Sequence, residues 1–204
     1  VEQRRFDEAI ACFDQAIALL PSYLNAYKNK ARALYFKGDF AAAETAHQQA
    51  LTVDASDVES RMNLGMLRLA RGDAGGWRDY ESRWKMKDGA LPTLPQPLWD
   101  GSPLDGKSIL LTPEQGLGDS IQFIRYASIL KQRYACRVVF LCPRSLAALL
   151  ANVPGVDEQV VSGSPIQPTD CYAPLLHVPA ILGHTPAEIP DIGPYLTADP
   201  SLAA

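Results

Sequence analysis

Proline is nearly missing from the first 90 residues of this chain: Pro21 is the only one there, and the other 15 lie between Pro92 and Pro200. Helix interiors exclude proline, which lacks an N–H and clashes with the preceding turn, whereas strand–loop–helix architectures accept it at element ends. The absence divides the chain into a helical part and a mixed part of about 90 and 100 residues, both ordinary domain sizes. Charge divides at the same place. Residues 1–90 hold 13 Lys+Arg and 13 Asp+Glu, while residues 91–204 hold 6 and 10, a net −4. Neither half carries a basic stripe, so nucleic acid is not an expected partner. No apolar run approaches the roughly 18 residues that cross a bilayer. Cysteine is scarce too: Cys12, Cys136, Cys142 and Cys171 form no CxxC pair and have no neighbouring histidine cluster. Free buried thiols in a reducing cytosol are expected rather than a metal site. No initiator methionine or signal peptide precedes Val1, whose neighbours already read as helix. The chain is therefore expected to begin inside a longer one.

What the first 90 residues do have is a repeat. Shifting the chain by 34 places Phe6 on Phe40, Ala9 on Ala43, Ala16 on Ala50, Asn29 on Asn63, and Gly38-Asp39 on Gly72-Asp73. A 34-residue period with helix–turn–helix content resembles the tetratricopeptide family. Tyr27 opens one helix A and Leu64-Gly65 supply the Leu-Gly pair of the next. Gly38 and Gly72 close helix A, Ala43 and Ala50 line helix B, and Pro21 ends a preceding helix B. Small residues are expected where helix backbones approach closely, and glycine where a left-handed residue stops a helix. About two and a half repeats fit into residues 1–87. An ordinary helical hairpin bundle is the alternative.

His47 departs from the pattern where a large aromatic is preferred, and Arg61 replaces the aromatic that opens the next helix A. Trp77, Tyr80 and Trp84 put bulk on one face of the last unit and read as a packing stripe that docks and caps the array. Arrays of this kind imply a concave face for a protein or peptide partner. No cluster of Asn, Lys and Arg falls on one face clearly enough to name its ligand.

Residues 88–107 read as a semi-rigid Pro/Gly-rich linker, with Trp99 as a packed anchor. Beyond it, over 108–204, strands and helices alternate. Strand 108–112 leads through a glycine turn into a helix over 120–134, and strand 137–142 is followed by a helix from Pro143 to about residue 152. Short strands are expected near 158–162 and 170–175, then a helical turn around 178–183. His177 and His184 fall in proline-rich loops and read as solvent-facing. The fold class is α + α/β, helical repeats followed by a Rossmann-like parallel-sheet domain.

Ligands of such sheets bind beyond the carboxyl ends of the strands, where Gly116-Leu117-Gly118-Asp119 stands. A dinucleotide fingerprint does not fit: the third glycine position holds Ile121, and Pro143-Arg144 follows the second strand in place of an acidic residue. Asp119 has two readings, a helix N-cap or a general base facing the mouth of the sheet.

Long motifs carry a further resemblance: Pro97-Leu98-Trp99-Asp100-Gly101, then Leu104, Gly106-Lys107, then Glu114-Gln115-Gly116-Leu117-Gly118-Asp119-Ser120-Ile121-Gln122-Phe123, with Arg125-Tyr126, Pro154-Gly155-Val156-Asp157 and Ile189-Pro190 to Pro194-Tyr195-Leu196. They are similar to bacterial tetratricopeptide proteins whose C-terminal domain resembles the heptosyltransferase group of GT-B glycosyltransferases. That resemblance implies a cytoplasmic parent that transfers sugar from a nucleotide-sugar donor, without a metal or other cofactor, to a glycan or protein acceptor. Asp119 would be the base; Gly116 and Gly118 would admit the substrate, with Gln115, Gln122 and Arg125 as its contacts. Those transferases place a proline soon after Gly-Asp, and none lies between Ser120 and Tyr134, which leaves the acceptor open. Residues 108–204 would form only the acceptor half, so the chain is expected to be truncated at both ends and inactive alone. The alternative is a non-catalytic protein-binding scaffold with a degenerate α/β domain.

Overall fold

The computed structural model describes residues 2–86, 89 and 91–196. It divides into two compact units, residues 1–90 and 91–204. The expected domain edges at residues 87 and 88, and the stretch from 197 to 204, lie outside the described residues.

The first unit runs α1 (Glu2–Leu19), α2 (Leu24–Lys37), α3 (Phe40–Val53), α4 (Val58–Ala70) and α5 (Gly76–Tyr80), closing with a 3₁₀ turn over Glu81–Lys85. Its 34-residue repeat is visible atom by atom at two helix ends. The Gly38 N–H donates to the Tyr35 carbonyl at 3.0 Å and the Asp39 N–H to Leu34 at 2.9 Å. One period later, Gly72 donates to Leu69 at 2.9 Å and Asp73 to Arg68 at 3.0 Å. The two glycines have φ of +88° and +83°, a left-handed conformation that closes both helices by the same bond pattern.

The repeats then diverge. Asp39 caps α3 by accepting from the Ala42 N–H at 3.1 Å, whereas Asp73 accepts from the nearer Gly75 N–H at 2.8 Å. That tighter turn delays the next helix to Gly76, and α5 lasts five residues. Trp77 and Tyr80 are buried and Trp84 is half-buried, so the aromatic stripe is packed. The nearly buried Arg83 guanidinium lies 4.6 Å from the Tyr80 ring centre and 4.9 Å from that of Trp84.

Small residues set the helix spacing. Ala31, Ala43, Ala46 and Ala50 are almost wholly buried, and Ala31, Leu34, Ala43, Ala46 and Leu67 form one apolar cluster. At Gly65 the approach is closest: a Cβ there would sit 2.4 Å from the Tyr80 nitrogen and 2.7 Å from the Gly76 oxygen. Arg68 links three helices, facing Glu44 of α3 at 3.6 Å and Asp79 of α5 at 2.5 Å.

In the second unit, among the described residues, β1 (Ser108–Thr112), β2 (Arg137–Cys142), β3 (Glu158–Val161) and β4 (Cys171–Pro174) form one parallel sheet in the order β3-β2-β1-β4. Ile109, Leu110, Leu111, Val138 and Phe140 are fully buried, as expected of a parallel sheet covered on both faces. The layout of the chain is thus α + α/β.

Several local expectations change. The helix expected over 120–134 begins earlier and is broken into α6 (Leu117–Phe123) and α7 (Tyr126–Tyr134). Ile124 and Arg125 keep helical dihedrals, but bonding tightens to the third residue back, Ala127 to Ile124 at 2.9 Å and Ser128 to Arg125 at 3.3 Å. The helix expected after Pro143 is a 3₁₀ turn over Arg144–Leu146 followed by turns. Residues 91–107 pack into the second unit. Trp99 and Leu104 are 2% and 1% exposed, and Pro97–Trp99 brackets Tyr172 of β4 with two backbone bonds of 2.9 and 2.8 Å. Trp99 is an anchor, its Nε1 donating to the Ser102 carbonyl at 2.8 Å.

Replacing Gly65 with Ala forces α4 and α5 apart. Overpacking of this kind costs about 1–3 kcal/mol, and urea unfolding of Gly65→Ala is expected to show an earlier helical transition of that size. An unchanged midpoint would show that the crossing can relax freely.

Candidate functional site

On α2, Asn25, Lys28, Asn29, Arg32, Tyr35 and Phe36 recur at steps of three or four and so share one face. Glu59, Asn63, Met66 and Leu67 do the same on α4. His47 of α3 lies with them. Together these residues line a groove of about 340 Å³ within the first unit.

The groove is polar at one end and apolar at the other. At the polar end the Lys28 ammonium lies 2.5 Å from Glu59 and 3.1 Å from Asp57. Burial works to lower the Lys28 pKa, but bonds to Glu59 and Asp57 outweigh it and hold the amine above its ordinary value. Arg32 is exposed and makes no ion pair among the described residues. The apolar end is formed by Tyr35, Phe36 and Met66, 45%, 61% and 40% exposed, and Phe36 stacks on Phe6 of α1 at 6.3 Å. His47 is 4% exposed, and its Nδ1 is buried without a partner among the described residues. Burial pushes its imidazole below the usual histidine pKa, an effect that Glu59 and Asp57 partly offset.

Sequence reading did not find this cluster. The signal was there in part: Asn29 and Asn63 are one 34-residue period apart. What joins Asn29 and Arg32 of α2 to His47 of α3 and Asn63 of α4 is the packing of three helices, which no spacing within one helix encodes.

The residues of Gly116–Asp119 stand at the topological switch of the sheet. From β1 the chain steps outward through β2 to β3, then returns on the other side of β1 as β4. Such switch points open a crevice beyond the carboxyl ends of the strands. At this edge the Glu114 carboxylate accepts from the Leu176 N–H at 3.2 Å, and the Leu175 N–H donates to the Thr112 carbonyl at 3.0 Å.

Gly116, rather than Asp119, is the N-cap of α6. Asp119 is the third helical residue, half-buried, and its Oδ2 accepts from the Gly116 N–H at 3.0 Å. It therefore performs the reciprocal half of a capping box. Gln115, Gly116, Gly118 and Gln122 are exposed. Arg125 is drawn elsewhere: it donates to the Pro190 carbonyl at 3.0 Å and to the Tyr195 hydroxyl at 2.9 Å. Tyr195 in turn donates to the Ile121 carbonyl at 2.8 Å.

Neither glycine of the turn is demanded by the fold. Gly116 has an ordinary extended backbone (φ −112°, ψ 164°), and a Cβ at Gly118 would meet nothing within 4 Å.

Both histidines differ from the solvent-facing expectation. His177 is buried at the start of α8 (His177–Leu182), its Nε2 3.0 Å from the Trp99 carbonyl oxygen, and the His184 ring packs 5.7 Å from Tyr126. Of the cysteines, Cys12 is exposed while Cys136, Cys142 and Cys171 are buried, and all are free. Burial pushes the thiols of Cys136 and Cys142 up, and that of Cys171 up to about 11, so these three are inert packing groups.

Residues 1–51 and 28–90 match the tetratricopeptide repeat family model. Protein FlbA of Caulobacter vibrioides is 34% identical over 121 residues, covering 56% of this chain and 20% of FlbA. The chain thus spans about a fifth of the length of that curated relative. Among solved structures, the first tetratricopeptide domain of Spaghetti (RPAP3), bound to an HSP90 peptide, is 26% identical with a TM-score of 0.39, covering 42% of this chain and 68% of that one. A mutant O-GlcNAc transferase of Thermobaculum terrenum is 16% identical with a TM-score of 0.37, covering 76% of this chain and 31% of that one. Residues 1–90 carry tetratricopeptide repeats. Among the described residues, no helix is long and apolar enough to cross a membrane.

Asp57 supports the polar end of the groove twice, accepting from the Ser60 N–H at 2.8 Å as the cap of α4 and pairing with Lys28. Burial works to raise its pKa, but the Ser60 and Lys28 bonds outweigh it and hold the carboxyl below its ordinary value. Its stabilisation is therefore complete above the ordinary carboxylate pKa and lost as pH falls through the lower folded one. Asp57→Ala is expected to cost about 1–2 kcal/mol at pH 7. Urea midpoints should show a much smaller penalty at pH 2.5, and an equal penalty at both pH values would remove the ionised cap from the account.

Proposed function

We propose that the first unit is a peptide-binding module whose groove takes an extended, acidic segment of a partner protein. The observation that carries this reading is the gathering of Asn25, Asn29, Asn63 and the exposed Arg32 in one groove with an apolar end. Side-chain amides donate and accept at once, which suits the alternating carbonyls and N–H groups of an extended backbone. Two cations against one carboxylate line the groove, Lys28 and Arg32 against Glu59. Because Lys28 is already held by Glu59 and Asp57, the charge that an acidic occupant meets is that of Arg32.

The test uses a fluorescein-labelled octapeptide, Leu-Glu-Ala-Glu-Ala-Glu-Ala-Leu, with the full chain. Leucine at both ends allows either chain direction to seat one on Tyr35, Phe36 and Met66. The expected result is saturable binding by anisotropy, weakened about tenfold in Asn29→Ala and in Arg32→Ala, as loss of one charged or buried hydrogen bond implies. A counterpart with Gln for each Glu should bind less tightly. Binding that ignores these substitutions would place the peptide elsewhere.

A second reading concerns the α/β unit, as the acceptor half of a GT-B glycosyltransferase in a cytoplasmic bacterial protein. The observation that favours it is the bare surface at the sheet's switch point: Gly116 and Gly118 lack side chains that the fold would accept. In this reading Asp119 takes the acceptor's proton through Oδ1, with Oδ2 held by the Gly116 N–H, and Gln115 and Gln122 contact the substrate. Arg125 positions the 190–195 segment rather than meeting a phosphate. The donor is a nucleotide sugar bound without a metal, and transfer requires a second, donor-binding wall. Without that wall, or with a degenerate α/β unit, the chain acts as a binding scaffold alone.

Glycine inside a helix costs about 0.5–1 kcal/mol relative to alanine. Gly118→Ala is therefore expected to raise the stability of the α/β unit by that amount while lowering sugar transfer by the parent protein, and Asp119→Asn should abolish transfer without unfolding. Transfer that survives both changes would leave the turn as a structural cap.

A further inference from the structure

His47 is the one groove residue whose chemistry the peptide reading does not yet use. Its imidazole is 4% exposed, lines the groove, and leaves Nδ1 buried without a partner. A buried polar atom without a partner is costly and calls for a physical explanation. An ordinary core position would be better filled by an apolar side chain of similar size.

The charges around it are well defined. From α2 come Lys28 and Arg32; from the start of α4 come Asp57 and Glu59. Lys28 engages both of those carboxylates, so neither is free to pair fully with an imidazolium. On its own helix, Glu44 is turned to Arg68 and Arg71, at 3.6 and 2.5 Å. The free groove therefore offers a protonated His47 no unshared counter-charge, and burial holds the imidazole neutral at pH 7.

We propose, resting on the groove reading above, that His47 makes the hold on an acidic peptide acid-responsive, tightening as the pH falls. An arriving carboxylate supplies the missing counter-charge. Protonation, which burial disfavours in the empty groove, becomes favourable in the occupied one. Proton uptake and peptide binding then strengthen each other by linkage. The sign follows from the order of the two states. The bound imidazole titrates at higher pH than the free one, so affinity rises as pH falls through the bound value. It levels off below the free value. The peptide's own glutamates, with ordinary pKa values near ~4.3, remain ionised throughout the window from pH 7.5 to 5.5.

The experiment measures anisotropy of the labelled Leu-Glu-Ala-Glu-Ala-Glu-Ala-Leu peptide on the full chain from pH 7.5 to 5.5. Wild-type affinity is expected to rise roughly five- to tenfold, the change that about one unit of pKa difference produces. His47→Gln, which keeps a neutral polar side chain, should show a flat profile across this range whatever its affinity at pH 7.5. The Gln-for-Glu peptide should show no rise with the wild-type protein. An NMR titration of the His47 ring in the wild-type chain, with and without peptide, reads the same coupling without any substitution. Its midpoint should move up on saturation. Intact binding with a flat wild-type profile, or a rise that persists in His47→Gln, overturns the role of His47 alone. A His47 midpoint that stays put or moves down does the same. Failure to bind at every pH overturns the groove reading together with it.

Discussion

Close approach of helix backbones is the constraint on which the first unit depends. Ala31, Ala43, Ala46 and Ala50 are buried almost completely, and Gly65 leaves no room for even a Cβ against Tyr80 and Gly76. A hydrophobic core is often argued from its large side chains, but here the small ones set the geometry. They let α2, α3 and α4 lie near enough for residues of all three to line one groove. Larger residues at the seam would bury more apolar area and would also separate the groove's walls. Packing and recognition are in this sense one problem, solved by alanine and glycine at fixed places in a 34-residue period.

The polar residues of the groove follow from that frame. Lys28 is held between Asp57 and Glu59, so the best-fixed cation is also the one already neutralised. Arg32 keeps its charge for an occupant. His47 lies buried among them, and its unpartnered nitrogen records a cost that folding alone does not explain. In the second unit the same kind of contrast appears in glycine. Those that close α2 and α4 in the first unit need positive φ, whereas Gly116 and Gly118 need neither unusual dihedrals nor space. A residue that the fold does not require is where a functional reason is best sought.

Much of the architecture was legible. The period of 34, the two Gly-Asp helix ends, the buried β1 and β2, and the glycine turn at the carboxyl end of β1 all follow from local pattern. Legibility failed where tertiary contacts override local preference. Ser120 to Tyr134 contains no proline and reads as one helix, yet bonding tightens at Ile124 and Arg125, where the Arg125 side chain reaches Pro190 and Tyr195. The prolines of residues 91–107 read as a spacer, but Leu98, Trp99 and Leu104 supply apolar surface that β4 and its neighbours bury. His177 read as solvent-facing because it falls between Pro174 and Pro179; its neighbour in space is the Trp99 carbonyl. Asp119 could be read as cap or base from sequence, and its bond to the Gly116 N–H is geometry that only the folded turn displays.

Sequence by itself determined the class of each half, because periodicity and the placement of proline and glycine are local properties of the backbone. It determined the repeat as well, since identical local environments recur at a fixed interval. Only the tertiary structure decided which polar residues act together. Asn29 and Asn63 lie on different helices, as do Arg32 and His47, and their convergence is the product of helix packing at distances that a linear pattern does not carry. Burial decided the rest: the same histidine is a solvent-exposed base on a free helix and a neutral imidazole, with its Nδ1 buried, in the wall of the groove.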